Sequence, residues 1–224
     1  TDPQTGAAVA SIPIEVPPGR GGLTPQVVLS YNSMNGQSWL GTGWDLTMGY
    51  IQRSAKKGVP SYSFEGSQFN YTDDENFMVI APGGSTEIVY DENHSLYHAK
   101  IEGSFLKYEK FAGGNYWEIT DKSGTTYTYG QSASARTGPD VYRFGGTFKW
   151  LLEKIEDTKG NIIEIFYYSP SPEETYLEKI SYNPVSPGGN YYTSTNFILQ
   201  DQPLGDKTIT DFRGGFKTTV SYLL

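Results

Sequence analysis

The segment Ser11–Ser33, SIPIEVPPGRGGLTPQVVLSYNS, sets Pro17, Pro18, Gly19, Gly21, Gly22 and Pro25 between two alternating apolar runs. Proline fixes φ, donates no backbone hydrogen bond and pushes the residue before it toward extended geometry, whereas glycine admits tight turns. No helix can cross such a segment, so it is expected to connect two strands as an extended strap. Leu40–Leu46, LGTGWDL, repeats the pattern: Gly41 and Gly43 allow a sharp turn before Trp44 enters a sheet. The rest of the chain is punctuated alike, with 26 Gly and 13 Pro parting runs that hold most of the 18 Tyr and 11 Phe. Aromatic and β-branched residues suit a pleated surface, and Gly and Pro end it. The fold class expected is all-β: antiparallel hairpins, a meander of short Tyr-rich strands.

The clearest hairpin is Tyr116–Thr120, a turn at Asp121–Gly124, then Thr125–Tyr129. Period-two alternation puts Trp117 and Ile119 on one face, and Tyr127 and Tyr129 on one face of the returning strand. The Asp-x-x-Gly sequence supplies the turn. Trp150–Glu156, Asp157–Gly160 and Asn161–Tyr168 follow the same grammar, with Asp157 lying 36 residues after Asp121, and Tyr176–Tyr182 continues it. Two copies fit an internal repeat; any antiparallel meander gives a similar pattern. Further strand candidates are Val27–Tyr31, Phe77–Ile80, Thr86–Tyr90, Ser104–Tyr108, Asn196–Leu199 and Lys217–Tyr222. Asn93–Ile101 reads as a helix or as a hairpin strand. No low-complexity linker divides the sequence, so residues 1–224 are expected to form one domain. The final run Val220–Leu224 reads as a strand, which suggests the N-terminal piece of a longer protein.

Several chemistries are excluded. Without cysteine there is no disulfide, thiolate zinc site or cysteine nucleophile. Seventeen Lys and Arg against 25 Asp and Glu leave a net charge of −8, and Lys56-Lys57 is only a pair, so no basic face for nucleic acid is expected. No apolar run approaches the ~20 residues of a membrane-spanning helix. Gly19-Arg-Gly-Gly22 and Gly41-Thr-Gly43 complete neither a P-loop nor a dinucleotide fingerprint, and no helix follows to present its amides to phosphate. His94 and His98 are the only histidines. On a helix the i, i+4 spacing would put them on one face able to ligate a metal, whereas on a strand they stand about 13 Å apart, too far for one ion, and exposed hairpin residues are expected. The carboxylate runs at Asp73–Glu75, Asp91–Glu92 and Glu173–Glu174 read as solvated turns, and Asp73–Asn76 lacks the order of a calcium loop. No G-x-S-x-G elbow is present. No catalytic centre, metal or cofactor is therefore expected. Exposed Tyr and Trp leave open a second class of function, a cell-surface or carbohydrate-binding β domain.

The opening stretch also carries a resemblance. Thr5-Gly6, Ser11–Pro25, Leu29–Ser33 and Leu40–Leu46 resemble the N-terminal domain family of the virulence protein SpvB, which also stands at the start of the B components of insecticidal Tc toxin complexes and in relatives of Rhs/YD-repeat proteins. Ile51–Arg53, Gly58–Pro60, Trp117–Tyr129, Lys149–Leu151 and Tyr176–Tyr182 fit the later part of that pattern. The motif residues are Pro13, Pro17, Pro18, Gly19, Arg20, Gly22, Leu23, Pro25, Tyr31, Asn32, Gly41, Gly43, Trp44, Asp157, Gly160 and Asn161. The resemblance implies a non-catalytic structural module near the beginning of a large secreted protein, its sheet extending toward an Rhs/YD-type shell around a toxic part. Its partners would be other domains of the same polypeptide and a toxin-complex subunit. In the virulence protein, ADP-ribosyltransferase activity belongs to a separate C-terminal domain, and no residue here matches that activity's motifs.

Overall fold

The structure, a computed structural model, describes residues 6–56, 58–60, 62, 76–81, 84–111, 113, 115–142, 146–185, 190–201 and 209–223. Thr5, Lys57 and Asp73–Glu75 lie outside them. Strand β1 (Val9–Pro13) pairs antiparallel with β2 (Val28–Asn32), Val9 opposite Asn32 and Pro13 opposite Val28. A short hairpin of β3 (Gln37–Ser38) and β4 (Gly41–Thr42) follows, and β5 (Trp44–Asp45) returns to β2. The Pro/Gly segment is thus the loop of the β1–β2 hairpin. It is not the straight strap expected: a 3-10 turn at Arg20–Gly22 reverses the chain, and the ladder continues one step beyond the strands where the Ile14 amide donates to the Val27 carbonyl (2.8 Å).

Seven strands then run as a meander: β6 (Tyr50–Arg53), β7 (Phe77–Ala81), β8 (Gly84–Asp91), β9 (Leu96–Ala99), β10 (Lys107–Phe111), β11 (Tyr116–Thr120) and β12 (Thr126–Tyr129). After the two-residue β13 (Arg136–Thr137) comes β14 (Lys149–Glu156), which pairs with both ends of that meander. Trp150 stands opposite Ile51 of β6 and Ile155 opposite Tyr127 of β12, so β6 through β12 and β14 close a barrel-like ring. The C-terminal half of β14 also starts a second path: Ile155 pairs with Ile163 of β15 (Ile162–Ser171), followed by β16 (Glu174–Pro184) and β17 (Tyr191–Asn196). These three strands form an open wing on the ring, all within one 12-stranded sheet. The chain ends in β18 (Gln200–Asp201), β19 (Ile209–Asp211), β20 (Thr218–Val220) and β21 (Tyr222–Leu223), paired as β18 with β21 and β19 with β20.

The alternation read from sequence sets the core. Trp117 pairs directly with Tyr129 and Ile119 with Tyr127, so both expected faces are the same inner face. Phe77, Trp117 and Trp150 are fully buried and meet edge to face at centroid distances of 4.8–6.2 Å, a geometry that aromatic quadrupoles favour. Asn93–Ile101 resolves to a turn and β9. Two strand expectations are corrected. Ser104–Leu106 is loop, because Phe105 sits at φ 52°, which no strand tolerates. Strand β17 ends at Asn196, and Phe197–Leu199 lie outside any strand.

Candidate functional site

The hairpin turns at Asp121 and Asp157 are built alike. Asp121 Oδ1 accepts from the amides of Ser123 and Thr125, and Asp157 Oδ1 from those of Lys159 and Asn161, all at 2.8–3.0 Å. The Gly124 and Gly160 amides donate to their own turn's aspartate carbonyl, at φ 83° and 78°. This is a turn with a glycine bulge, in which the aspartate ties two amides and the glycine takes a backbone angle costly to other residues. The turns lie side by side: a Cβ added at Gly124 would stand 2.7 Å from Thr158 Cγ2. Their carboxyls sit below the ordinary carboxylate range. For Asp157 the main cause is the Asn161 side-chain amide, helped by the Asn161 and Lys159 amides. For Asp121, burial pushes upward and is outweighed by the Ser123 hydroxyl and the turn amides.

The loop of the β1–β2 hairpin reaches across to the second turn and the wing, joining motif residues over a hundred positions apart. Gly21 lies against Asn161, where a Cβ would stand 2.7 Å from Nδ2. The Arg20 amide donates to Asn183 Oδ1 (2.8 Å), its guanidinium donates to the Pro184 carbonyl (3.0 Å), and the same group covers the Tyr192 ring at 5.3 Å. Tyr182, buried in β16, donates its hydroxyl to the Pro17 carbonyl (2.7 Å). Gly19 fixes the loop's shape: its amide donates to Thr24 Oγ1 (2.8 Å), and a Cβ there would fall inside the Leu23 carbonyl. Ile14, Val16 and Leu23 pack on the core, and Pro25 is buried, while Pro13, Pro17 and Pro18 stay exposed.

The remaining motif residues shape the small sheet rather than this contact. Tyr31 and Trp44 pack with centroids 5.2 Å apart, and Gly43, at φ 83°, leaves no room for a Cβ beside the Tyr31 ring. Asn32 Oδ1 accepts from the Met34 amide (2.9 Å), and Gly41 stands at φ 97° in open space. Of the carboxylates read as solvated, Glu174 departs from expectation. It is half-buried and accepts from the hydroxyls of Thr219 and Ser221, while the Ser221 amide donates to Tyr176 (2.7 Å), fastening β20–β21 to the wing. No local signal marks this clasp, since it joins residues 45 or more positions apart.

His94 Nδ1 lies 2.6 Å from Asp91 Oδ2 on an exposed turn, and His98 Nδ1 lies 2.9 Å from the Ala99 carbonyl. Among the described residues no cluster of three His, Cys, Asp or Glu could hold a metal ion, and no helix is long and apolar enough to cross a membrane. A 210 Å³ cavity between the small sheet and β14 is lined by Asp45, Tyr50 and Lys149, with the Lys149 ammonium 4.5 Å over the Tyr50 ring. Burial pushes Lys149 downward against the pull of Asp45, and pushes Asp45 upward against Lys149. Both side chains are half-buried, and the charges of Asp211 and Arg213 act on the same cluster.

No curated protein sequence matches the chain. Among solved structures, it is similar to "Crystal Structure of TcdB2-TccC3-Cdc42" (TM-score 0.71, 21% identity, covering 97% of this chain and 13% of that chain). It is also similar to the N-terminal domain of effector protein SpvB from Salmonella typhimurium strain LT2 (TM-score 0.69, 19% identity, covering 95% and 84%). A third is the Photorhabdus luminescens Tc holotoxin pore with the TccC3 D651A mutation (TM-score 0.68, 21% identity, covering 97% and 12%). The chain thus spans a small part of the toxin polypeptides and most of the SpvB domain. At these identities the likeness is one of fold. The family described as SpvB, Salmonella virulence plasmid 65kDa B protein, matches residues 2–195, and the chain belongs to that family.

Proposed function

We propose that the chain is a non-catalytic scaffold module of a secreted toxin-like protein, contributing a section of β-sheet shell that encloses or presents a toxic part carried elsewhere on the polypeptide. The observation that carries this reading is the asymmetry of the sheet. Among the described residues, the ring satisfies its own strand edges, whereas the wing ends at β17, a six-residue edge strand without a charged residue. An exposed edge of that kind is a template for another strand, and the loop of the β1–β2 hairpin props the wing in place beside it. Fold similarity to Tc toxin components supports the same reading. The module's partners are then other domains of its own polypeptide and a toxin-complex subunit, and it performs no turnover. Solving the structure of the full natural polypeptide tests this. The expected result is a strand from outside residues 1–224 hydrogen-bonded along β17 in a continuous shell; a solvent-exposed β17 edge there would overturn it.

A further inference from the structure

The ring is least closed between β9 and β10. Neighbouring pairs share four or five residue positions, β8 with β9 and β10 with β11, whereas β9 meets β10 only where Tyr97 stands opposite Tyr108. A cleft of about 900 Å³ opens there, within the size range of ligand sites, which favour barrel mouths. Tyr97 contributes the deep wall, its ring 4.9 Å from Trp117 and 5.8 Å from Phe77 in the core. Tyr90, paired with Tyr97 at 5.0 Å, and Phe105 stand at the rim, 41% and 64% exposed.

Phe105 is held there against its own backbone preference. Its φ of 52° is an outlier for a bulky residue, and such angles persist only where surrounding contacts enforce them. Glu102 supplies the contacts, with Oε1 accepting from the amides of Gly103 (3.0 Å) and Phe105 (2.7 Å). Lys122, from the first hairpin turn, sits 4.4 Å over the Phe105 ring. A large apolar side chain in a strained backbone, pinned outward and propped by a cation, is an arrangement that core packing does not require.

We propose that this cleft binds an oligosaccharide, with the Tyr90 and Phe105 rings as stacking platforms and the polar rim hydrogen-bonding its hydroxyls. The chemistry of the lining narrows the ligand. A wholly apolar guest would strip water from Glu109, Lys107 and Lys110 without replacing those hydrogen bonds. A polyanion would find no net cationic lining, since Glu102 and Glu109 offset Lys107 and Lys110, on a chain of net charge −8. An inserted β-strand is blocked, because the Tyr97–Tyr108 pair and the hydrogen bond from Lys110 Nζ to the Tyr97 hydroxyl (3.0 Å) tie the two strands together. A sugar offers one apolar face for a ring and a rim of hydroxyls for carboxylate and ammonium groups, which matches what is left.

The test is an array of neutral oligosaccharides of two to six sugars probed with the 224-residue chain, with saturation-transfer NMR on each hit. Phe105→Ala is expected to weaken binding at least tenfold with thermal unfolding unchanged, and Tyr90→Ala to weaken it as much with a small drop in the thermal midpoint from the lost Tyr97 contact, while Tyr192→Ala on the wing leaves binding intact. Absence of any bound saccharide, or binding that survives both cleft substitutions, overturns the proposal. Capture of proline-rich peptides in place of sugars by the same cleft overturns it equally. None of these outcomes bears on the pairing of β17, so the scaffold reading stands or falls separately.

Discussion

The ring and the wing share strand β14 but are stabilised by different means. The ring is closed on itself, and its interior is filled by Phe77, Trp117 and Trp150 in mutual edge-to-face contact. Among the described residues the wing has one unpaired edge, and it draws support from outside its own strands: the hairpin loop at Pro17–Leu23 on one side and the Glu174 clasp on the other. Closure removes the exposed strand edges that an open sheet must otherwise protect. In the proposed scaffold role the self-sufficient part is the foundation, and the dependent part is the one that accepts more sheet.

If that division is real, damage to the ring must propagate to the wing, and damage to the wing must stay local. Trp117→Ala is expected to have the largest effect, destabilising the fold by about 3–5 kcal/mol through lost burial and a cavity. Urea denaturation should show one early transition, and loss confined to the ring would break the comparison. Gly19→Ala comes next. The new methyl cannot share space with the Leu23 carbonyl, so the loop must rebuild at about 1–3 kcal/mol. Hydrogen exchange should accelerate in β16 and β17 and stay slow at Ile51, Phe77 and Trp150. Tyr182→Phe removes only the hydroxyl bond to the Pro17 carbonyl, worth about 1 kcal/mol. Its signature is the same wing-selective exchange, weaker in size.

Acid should have the smallest effect and touch both parts at their shared boundary. The carboxyls of Asp121 and Asp157 are held below their ordinary range by their turns. With the folded pKa the lower of the two, the stabilisation is complete above the unfolded value near ~3.9 and is lost as pH falls below it toward the folded value. The thermal midpoint should therefore hold between neutrality and about pH 4 and drop beneath that, on those grounds. Asp157→Asn should flatten the drop, and an unchanged acid limb in that variant would discount the turn.

What the sequence made legible was local. The hairpins at Asp121 and Asp157 are readable because the aspartate, the glycine and the flanking alternation all lie within a few residues. The inner faces of β11 and β12 follow from period-two spacing alone. Ring closure is not readable, since nothing in Lys149–Leu151 announces that Tyr50–Gln52 will lie beside it. The same holds for the hairpin loop. Its glycines and prolines advertise an unusual path, but that Gly21 rests on Asn161 and Arg20 on Tyr192 depends on where the wing is. Phe105 misled strand reading because its left-handed backbone is imposed by Glu102 and is foreign to its type.

The double pairing of β14 also orders events in time. Gln52 and its partner Lys149 are 97 residues apart, so a chain emerging from a ribosome presents β6 long before the strand that covers it exists. Contacts of such separation form slowly, and until they form the meander carries two bare edges. The interval between the synthesis of Tyr50 and that of Trp150 is the period in which this protein most needs protection from its neighbours.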